Sequence, residues 1–246
     1  MTDWRARKST NLLLLLIGAV LVACLVMLGN WQVRRLDWKV GLINAVETRA
    51  HGTPVEAPPY EDWHAINADS HAYLRVTAQG NLLHNNEIAV QAVTEIGAGY
   101  WIMTPLVREN SETIWINRGF VPPELRDPAT RPNVDSEAVS VTGLLRISEP
   151  EGTVLQSNDP ATNRWYSRDV DAFSLHKGLS DTAPFFIDAG AGEDPQAWPR
   201  GGMTRIDFRN SHLVYALTWY SMAALLAGAM VYVVWLSRRP PADGDD

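Results

Sequence analysis

The chain has 246 residues, a formal net charge of -7, one cysteine and a 46% share of apolar residues. The acidic balance and the lack of a basic patch between the two ends argue against a nucleic-acid partner. A single cysteine, Cys24, excludes a disulfide, a CxxC redox pair, a CxxCH haem attachment and a thiolate pair for copper.

Leu12 to Gly29 contains no charged residue. At 1.5 Å per residue such a run crosses a hydrocarbon core of roughly 30 Å, so residues 12–29 are predicted as a transmembrane helix after a cytoplasmic N-terminus at 1–11. Leu21-Val22-Ala23-Cys24 resembles a lipoprotein cleavage box, but Leu25-Val26-Met27-Leu28 carries the apolar run past the cysteine. A signal peptide would have a shorter apolar core ending at small residues, so Cys24 is read as a small apolar helix residue. Trp31, Trp38, Leu42 and Ala45 recur at helical spacing, which extends the helix to about Glu47. Trp31 falls where an interfacial aromatic belt belongs. His51-Gly52-Thr53-Pro54 ends the helix, and Ala57-Pro58-Pro59-Tyr60 continues as loop.

From there the pattern changes to alternating or short apolar runs bounded by Gly, Pro, Asn and Asp. It predicts strands at Tyr73–Gln79, Glu87–Val93, Tyr100–Val107, Thr113–Asn117, Val139–Ile147 and Pro184–Asp188, and one short helix at Asp169–His176, capped by the aspartate and closed by Gly178. Short strands at close separation imply an antiparallel sheet or barrel. The expected fold class is therefore a membrane protein of α+β type, two transmembrane helices flanking a β-rich domain at 30–211. The second span is placed at 212–236, before a cytoplasmic tail at 237–246, because Leu213 to Leu236 is also uncharged. Arg5, Arg7 and Lys8 before the first span and Arg238-Arg239 after the second favour cytoplasmic termini and a periplasmic domain, although Arg34, Arg35, Lys39, Arg205 and Arg209 lie on the opposite flanks.

No GxSxG elbow, HExxH helix, GxxxxGK[ST] loop or Rossmann glycine pattern is present. His51, His64, His71, His84 and His176 lack the close pairing of a metal site and read as surface or satisfied core residues. His212 differs by its address at the mouth of the second span. A helix N-terminus opposes positive charge, which suits a neutral, metal-ligating imidazole, and its amides together with Arg205 and Arg209 favour anionic groups. Haem needs such a set: one axial imidazole, and cations for the propionates. Tyr215, Ala216, Trp219, Met222 and Ala223 share the face of His212 and could take a flat apolar ring. The alternative is an interfacial histidine meeting lipid headgroups, with Ala223, Ala224, Ala227 and Gly228 as small-residue packing surfaces.

Five ordered blocks carry a resemblance. Leu28-Gly29-Asn30-Trp31-Gln32-Val33-Arg34-Arg35-Leu36-Asp37-Trp38-Lys39, Asn117-Arg118-Gly119-Phe120-Val121-Pro122 with Arg126, Asn158-Asp159-Pro160 with Asn163 and Trp165-Tyr166, Pro184-Phe185-Phe186-Ile187-Asp188, and Asn210-Ser211-His212-Leu213-Val214-Tyr215-Ala216-Leu217-Thr218-Trp219-Tyr220 resemble the signature blocks of the surfeit locus protein 1 family, the cytochrome c oxidase assembly factors. Phe120 stands where many relatives would have Trp. The resemblance implies a bacterial member resident in the cell inner membrane. It implies a non-enzymatic factor that transiently binds haem A and assists its insertion into cytochrome c oxidase subunit I, with His212 as axial iron ligand and Trp219 beside the haem. Haem A synthase and membrane lipid are further partners on this reading.

Arg34, Arg35 and Trp31 meet the membrane on the same side as Arg209 and His212, so they are candidates for a second wall of that site, with Arg205, Arg209, Arg34 and Arg35 toward the propionates and Tyr215 on the ligand face. In the domain, Arg118-Gly119 reads as a turn whose guanidinium ties loops together, and Asn158-Asp159-Pro160 as turn chemistry through side-chain to backbone bonds. A haem-free scaffold for an oxidase assembly intermediate is the nearest rival. A two-span sensor is disfavoured by the short tail from Ser237, and an outer-face hydrolase by the lack of a nucleophile and base in context.

Overall fold

The structure is a computed structural model that describes residues 3–131, 138–150, 152, 156–204, 206 and 210–238, with side chains from residue 13 onward. It divides into two compact units, one formed by the chain up to residue 44 and beyond 206, the other by residues 45–206.

The first unit is built on two helices, α1 (Asp3–His51) as far as residue 44 and α4 (His212–Ser237). Both are long and apolar enough to cross a membrane. α1 is about 70 Å long at 1.5 Å per residue, more than twice a hydrocarbon core, so it extends well beyond its apolar run. It ends at His51, one turn past the expected Glu47, where Gly52 and Pro54 stop it. Along α1 the buried and half-buried positions Gly18, Val22, Leu25, Gly29, Gln32 and Leu36 alternate at spacings of four and three, which places them on one stripe. α4 carries a matching stripe at His212, Ala216, Trp219, Ala223 and Met230. The stripes face each other antiparallel. A Cβ on Gly29 would lie 2.5 Å from the Tyr220 ring, and one on Gly18 would lie 2.7 Å from the Met230 sulfur. Small residues on the seam allow close packing of the kind that holds helices together where no hydrophobic driving force exists between them. Leu14, Val20, Met27, Leu217, Leu225 and Val231 point away from the seam and are exposed, an apolar exterior suited to lipid.

The second unit is a seven-stranded sheet in the order β1-β2-β6-β7-β5-β4-β3, closed by a further pairing of β2 with β4. Its strands are β1 (Val55–Glu56), β2 (Arg75–Leu82), β3 (Ile88–Thr94), β4 (Gly97–Val107), β5 (Thr113–Val121), β6 (Val139–Ile147) and β7 (Thr182–Ala189). The six expected strands are present and β6 has the expected bounds. Most pairs are antiparallel, but β5 pairs with β7 in parallel, as β1 does with β2. The β5–β7 pair departs from simple meander topology because the chain leaves β5, forms β6 elsewhere and returns through α3 (Val170–Lys177). β1 interrupts a predicted loop, and a 3-10 turn at Tyr60–Ala65 and the short α2 (Ala68–His71) follow it.

β5 and β7 are buried on both faces, which is why they read as continuous apolar runs. Ile114, Ile116, Phe185 and Ile187 point into the barrel with Val76, Leu106 and Leu145. Trp115 and Phe186 point outward into a second cluster with Met103, Trp165, Val170 and Phe173, which α3 covers. There Phe173 meets the edges of Trp165 and Trp115 at 4.8 and 5.2 Å between centroids. Each such aromatic contributes about 1.5–3 kcal/mol by burial. Trp115 Nε1 donates to Ser174 Oγ at 2.9 Å, so the indole brings no unpaired polar group into the core. α3 has the expected caps: Asp169 accepts from the Ala172 amide, and Gly178 takes the left-handed conformation.

Candidate functional site between the middle of α1 and the mouth of α4

His212 is the first residue of α4, and its amide donates to Asn210 Oδ1 at 3.3 Å, so the asparagine side chain satisfies one of the free amides of the helix start. The ring is half-buried. Its Nδ1 lies 2.8 Å from Oε1 of Gln32, a buried residue on the facing stripe of α1. In the tautomer that donates from Nδ1 to this oxygen, Nε2 keeps its lone pair. Toward the membrane interior, Tyr220 donates from its hydroxyl to Asn30 Oδ1 at 2.6 Å, and its ring rests against Gly29.

Trp219 lies two turns along the face of His212. Its Nε1 is buried without a hydrogen-bond partner among the described residues. Trp31 and Tyr215 are half exposed, at 51% and 52%. Arg34 and Arg35 are exposed, and the Arg35 guanidinium stands 4.2 Å over the Trp38 ring. Arg205 and Arg209 lie outside the described residues. The structure therefore brings His212 together with Gln32 and sets Trp219 on the same face, while Trp31, Arg34, Arg35 and Tyr215 are exposed and make no hydrogen bond to His212 among the described residues. Gln32, Asn30 and Tyr220 were not singled out from the sequence as site residues. The available signal was an uncharged amide one turn after Gly29, just past the apolar run of α1.

Among the described residues no group of three or more His, Cys, Asp or Glu side chains could hold a metal ion. One imidazole cannot retain a bare cation in a closed coordination shell. It can hold iron that already carries four porphyrin nitrogens. The donor set, one half-buried histidine with one ring nitrogen engaged and, two turns along the same face, an indole N–H unpartnered among the described residues, fits such a group.

Two of the domain's polar networks hold residues of the signature blocks. Asp188 accepts from Asn117 Nδ2 at 2.8 Å, Thr204 Oγ1 at 2.8 Å, Arg146 at 3.0 Å and Arg168 at 3.2 Å. Arg168 also grips Glu149 at 2.6 and 3.0 Å. Burial alone would lower the Arg168 pKa, but Asp188 and Glu149 outweigh it and leave the value raised. In the second network Glu87 pairs with Arg131 and, at 4.0 Å, with Arg118, whose guanidinium meets His84 Nδ1 at 3.2 Å. Burial, more than the neighbouring Arg131, lowers the Arg118 pKa, and burial followed by Arg118 lowers that of His84. Gly119 takes φ +130°, and Phe120 exchanges amide bonds of 2.9 Å with Arg200. Asn158 Oδ1 accepts from the Tyr166 and Ser167 amides at 2.8 and 3.1 Å. Exposed Asp159 accepts from the Thr162 hydroxyl, which holds its pKa below the usual carboxylate range. Arg118 and Gly119 thus lie within β5 and not in the predicted turn, because the strand runs on past Asn117 to Val121, whereas Asn158 and Asp159 act in turn contacts as expected.

Fold and site define a membrane protein in which two apolar helices pack through a small-residue seam and a chain segment between them forms a closed β-barrel. The profile of the SURF1 family matches residues 19–224. The chain is 32% identical to Surfeit locus protein 1 of Xenopus tropicalis over 215 residues, covering 80% of this chain and 68% of that protein. It is 31% identical to that of Homo sapiens over 215 residues (80% and 69%), and 32% identical to that of Mus musculus over 232 residues (87% and 72%). The chain belongs to the SURF1 family.

Proposed function

We propose that this protein is an assembly factor for haem-copper (cytochrome c) oxidase, a non-enzymatic carrier that binds haem A and assists its insertion into subunit I. Membership of a family of oxidase assembly factors supports the client. The observation that carries the cargo is His212, half-buried at the start of α4 with Nδ1 engaged by Gln32, and on the same face the indole N–H of Trp219, which has no hydrogen-bond partner among the described residues. His212 ligates the iron through Nε2. Arg34 and Arg35, exposed on α1, attract the propionates, a task Arg205 and Arg209 share, while Trp31 and Tyr215 flank the macrocycle. The apolar faces of α1 and α4 sit in the cell inner membrane, with both termini cytoplasmic and the barrel periplasmic, where it docks the oxidase subunit and can receive haem from haem A synthase.

Co-expression with a haem A supply, followed by purification in detergent, tests this reading. The wild type is expected to carry a Soret band that His212→Ala loses. A wild type without that band leaves the haem-free scaffold as the better account, and an unchanged spectrum in the variant removes His212 as ligand.

A further inference from the structure

We propose that Gln32 is the positioning residue of the haem site, fixing the tautomer and orientation of His212. The proposal rests on the haem reading above. Metal-bound histidines as a rule donate their second ring N–H to an acceptor, which orients the ring and raises its basicity. His212 has such an acceptor in Gln32 Oε1, 2.8 Å from Nδ1. The nearby Asn210 oxygen is committed to the backbone amide and not to the ring.

Three features mark the contact as a fixed one. Gln32 is buried on the seam, although the residues on either side of it along α1 are more exposed. An amide so placed has little water to turn to, so leaving it unpaired is costly. The spacing of the helices is set independently by Gly29 against the Tyr220 ring and by Gly18 against Met230. The bond from Tyr220 to Asn30 adds a second polar tie on the same side, so the Gln32 oxygen meets a ring already brought to it. With the Nδ1 proton held there, Nε2 of the half-buried ring is left unprotonated. The amide thus does for the imidazole what a carboxylate does in other metal sites, but without adding a negative charge at the membrane boundary.

The full-length protein in detergent is titrated with hemin, following the Soret band for affinity and a redox titration for the midpoint potential. Gln32→Leu is expected to weaken hemin binding about 10- to 100-fold. Gln32→Glu keeps an acceptor within reach and is expected to retain the wild-type affinity. Its stronger acceptor makes the imidazole a better donor, so the midpoint potential moves to more negative values. A merely structural helix tie would leave that potential unmoved in Gln32→Glu. Loss of the Soret band in His212→Ala, with wild-type affinity and potential in both Gln32 variants, overturns the positioning role and leaves the haem reading standing. A wild-type spectrum in His212→Ala overturns both. If Gln32→Leu does not fold, Gln32→Glu decides: a potential equal to wild type refutes the proposal.

Discussion

Asp188 is 4% exposed and joins β7 to β5 through Asn117, to β6 through Arg146, and to the chain after the barrel through Thr204. Asp188→Asn keeps the shape and removes the charge. Breaking a fully buried ion pair costs about 3–5 kcal/mol, because the partner is left uncompensated. Here two arginines lose their partner, but their side chains remain 18% and 14% exposed and both retain Glu149, Arg168 at 2.6 Å and Arg146 at 3.5 Å. The residual compensation brings the expected cost down to about 2–3 kcal/mol. For a domain of this size each kcal/mol shifts the midpoint by about 2–4 °C, so Tm falls by about 4–12 °C. Thr204→Ala removes a single bond to the same carboxylate and should cost about 1 kcal/mol. Thermal unfolding of the full-length protein in detergent, followed by tryptophan fluorescence, gives both values. Equal shifts for the two variants, or an Asp188→Asn midpoint within a degree of wild type, would refute the view that this carboxylate is the hub of the barrel.

At Gly119, an added Cβ would collide with the Arg200 carbonyl at a φ of +130°. Gly119→Ala should therefore cost about 3 kcal/mol or more, seen as lost folded yield or a midpoint at least about 6 °C lower; a wild-type melting curve contradicts this. His84 gives a pH dependence whose sign follows from its lowered pKa. Below about pH 6.5 the unfolded chain binds a proton that the folded chain does not, so this contribution is complete above that pH and is lost as the pH falls through it. Melting at pH 7.5 and 5.5 should show a larger acid loss for wild type than for His84→Asn, and equal losses would set the idea aside.

Much of this molecule can be read from local pattern. The caps of α3 and the bounds of β6 follow from residues within one or two positions of each boundary. The apolar runs mark both long helices for the same reason. What pairs with what is a different matter, because partners lie far apart in sequence: nothing local tells β5 to take β7 in parallel, or tells Asn81-Leu82 to close the sheet against Leu106-Val107. β1 was hidden because two residues beside Pro54 and Pro58 carry no alternation. At the candidate site, the position of His212 at the start of α4 was legible from the sequence. The contact of Gln32 was not, since it is made to a residue 180 positions away. Arg118 and Asp188 could be recognised as motif members, but their partners emerge only from the folded barrel.

The strand order also sets a timetable for synthesis. β2 forms before the midpoint of the chain, yet its long ladder is to β6, where Val76 meets Gly143, and β6 in turn needs β7. At roughly 5–20 residues per second, the ribosome takes several seconds to deliver that partner, and more to deliver β7. Until then β2 has only the brief β1 pairing and its two-residue closure with β4, leaving most of its hydrogen-bonding edge open. Such non-local pairing belongs to the slow end of folding. The barrel is thus a structure that completes late, and the nascent domain must remain extended or guarded until residues near 189 have emerged.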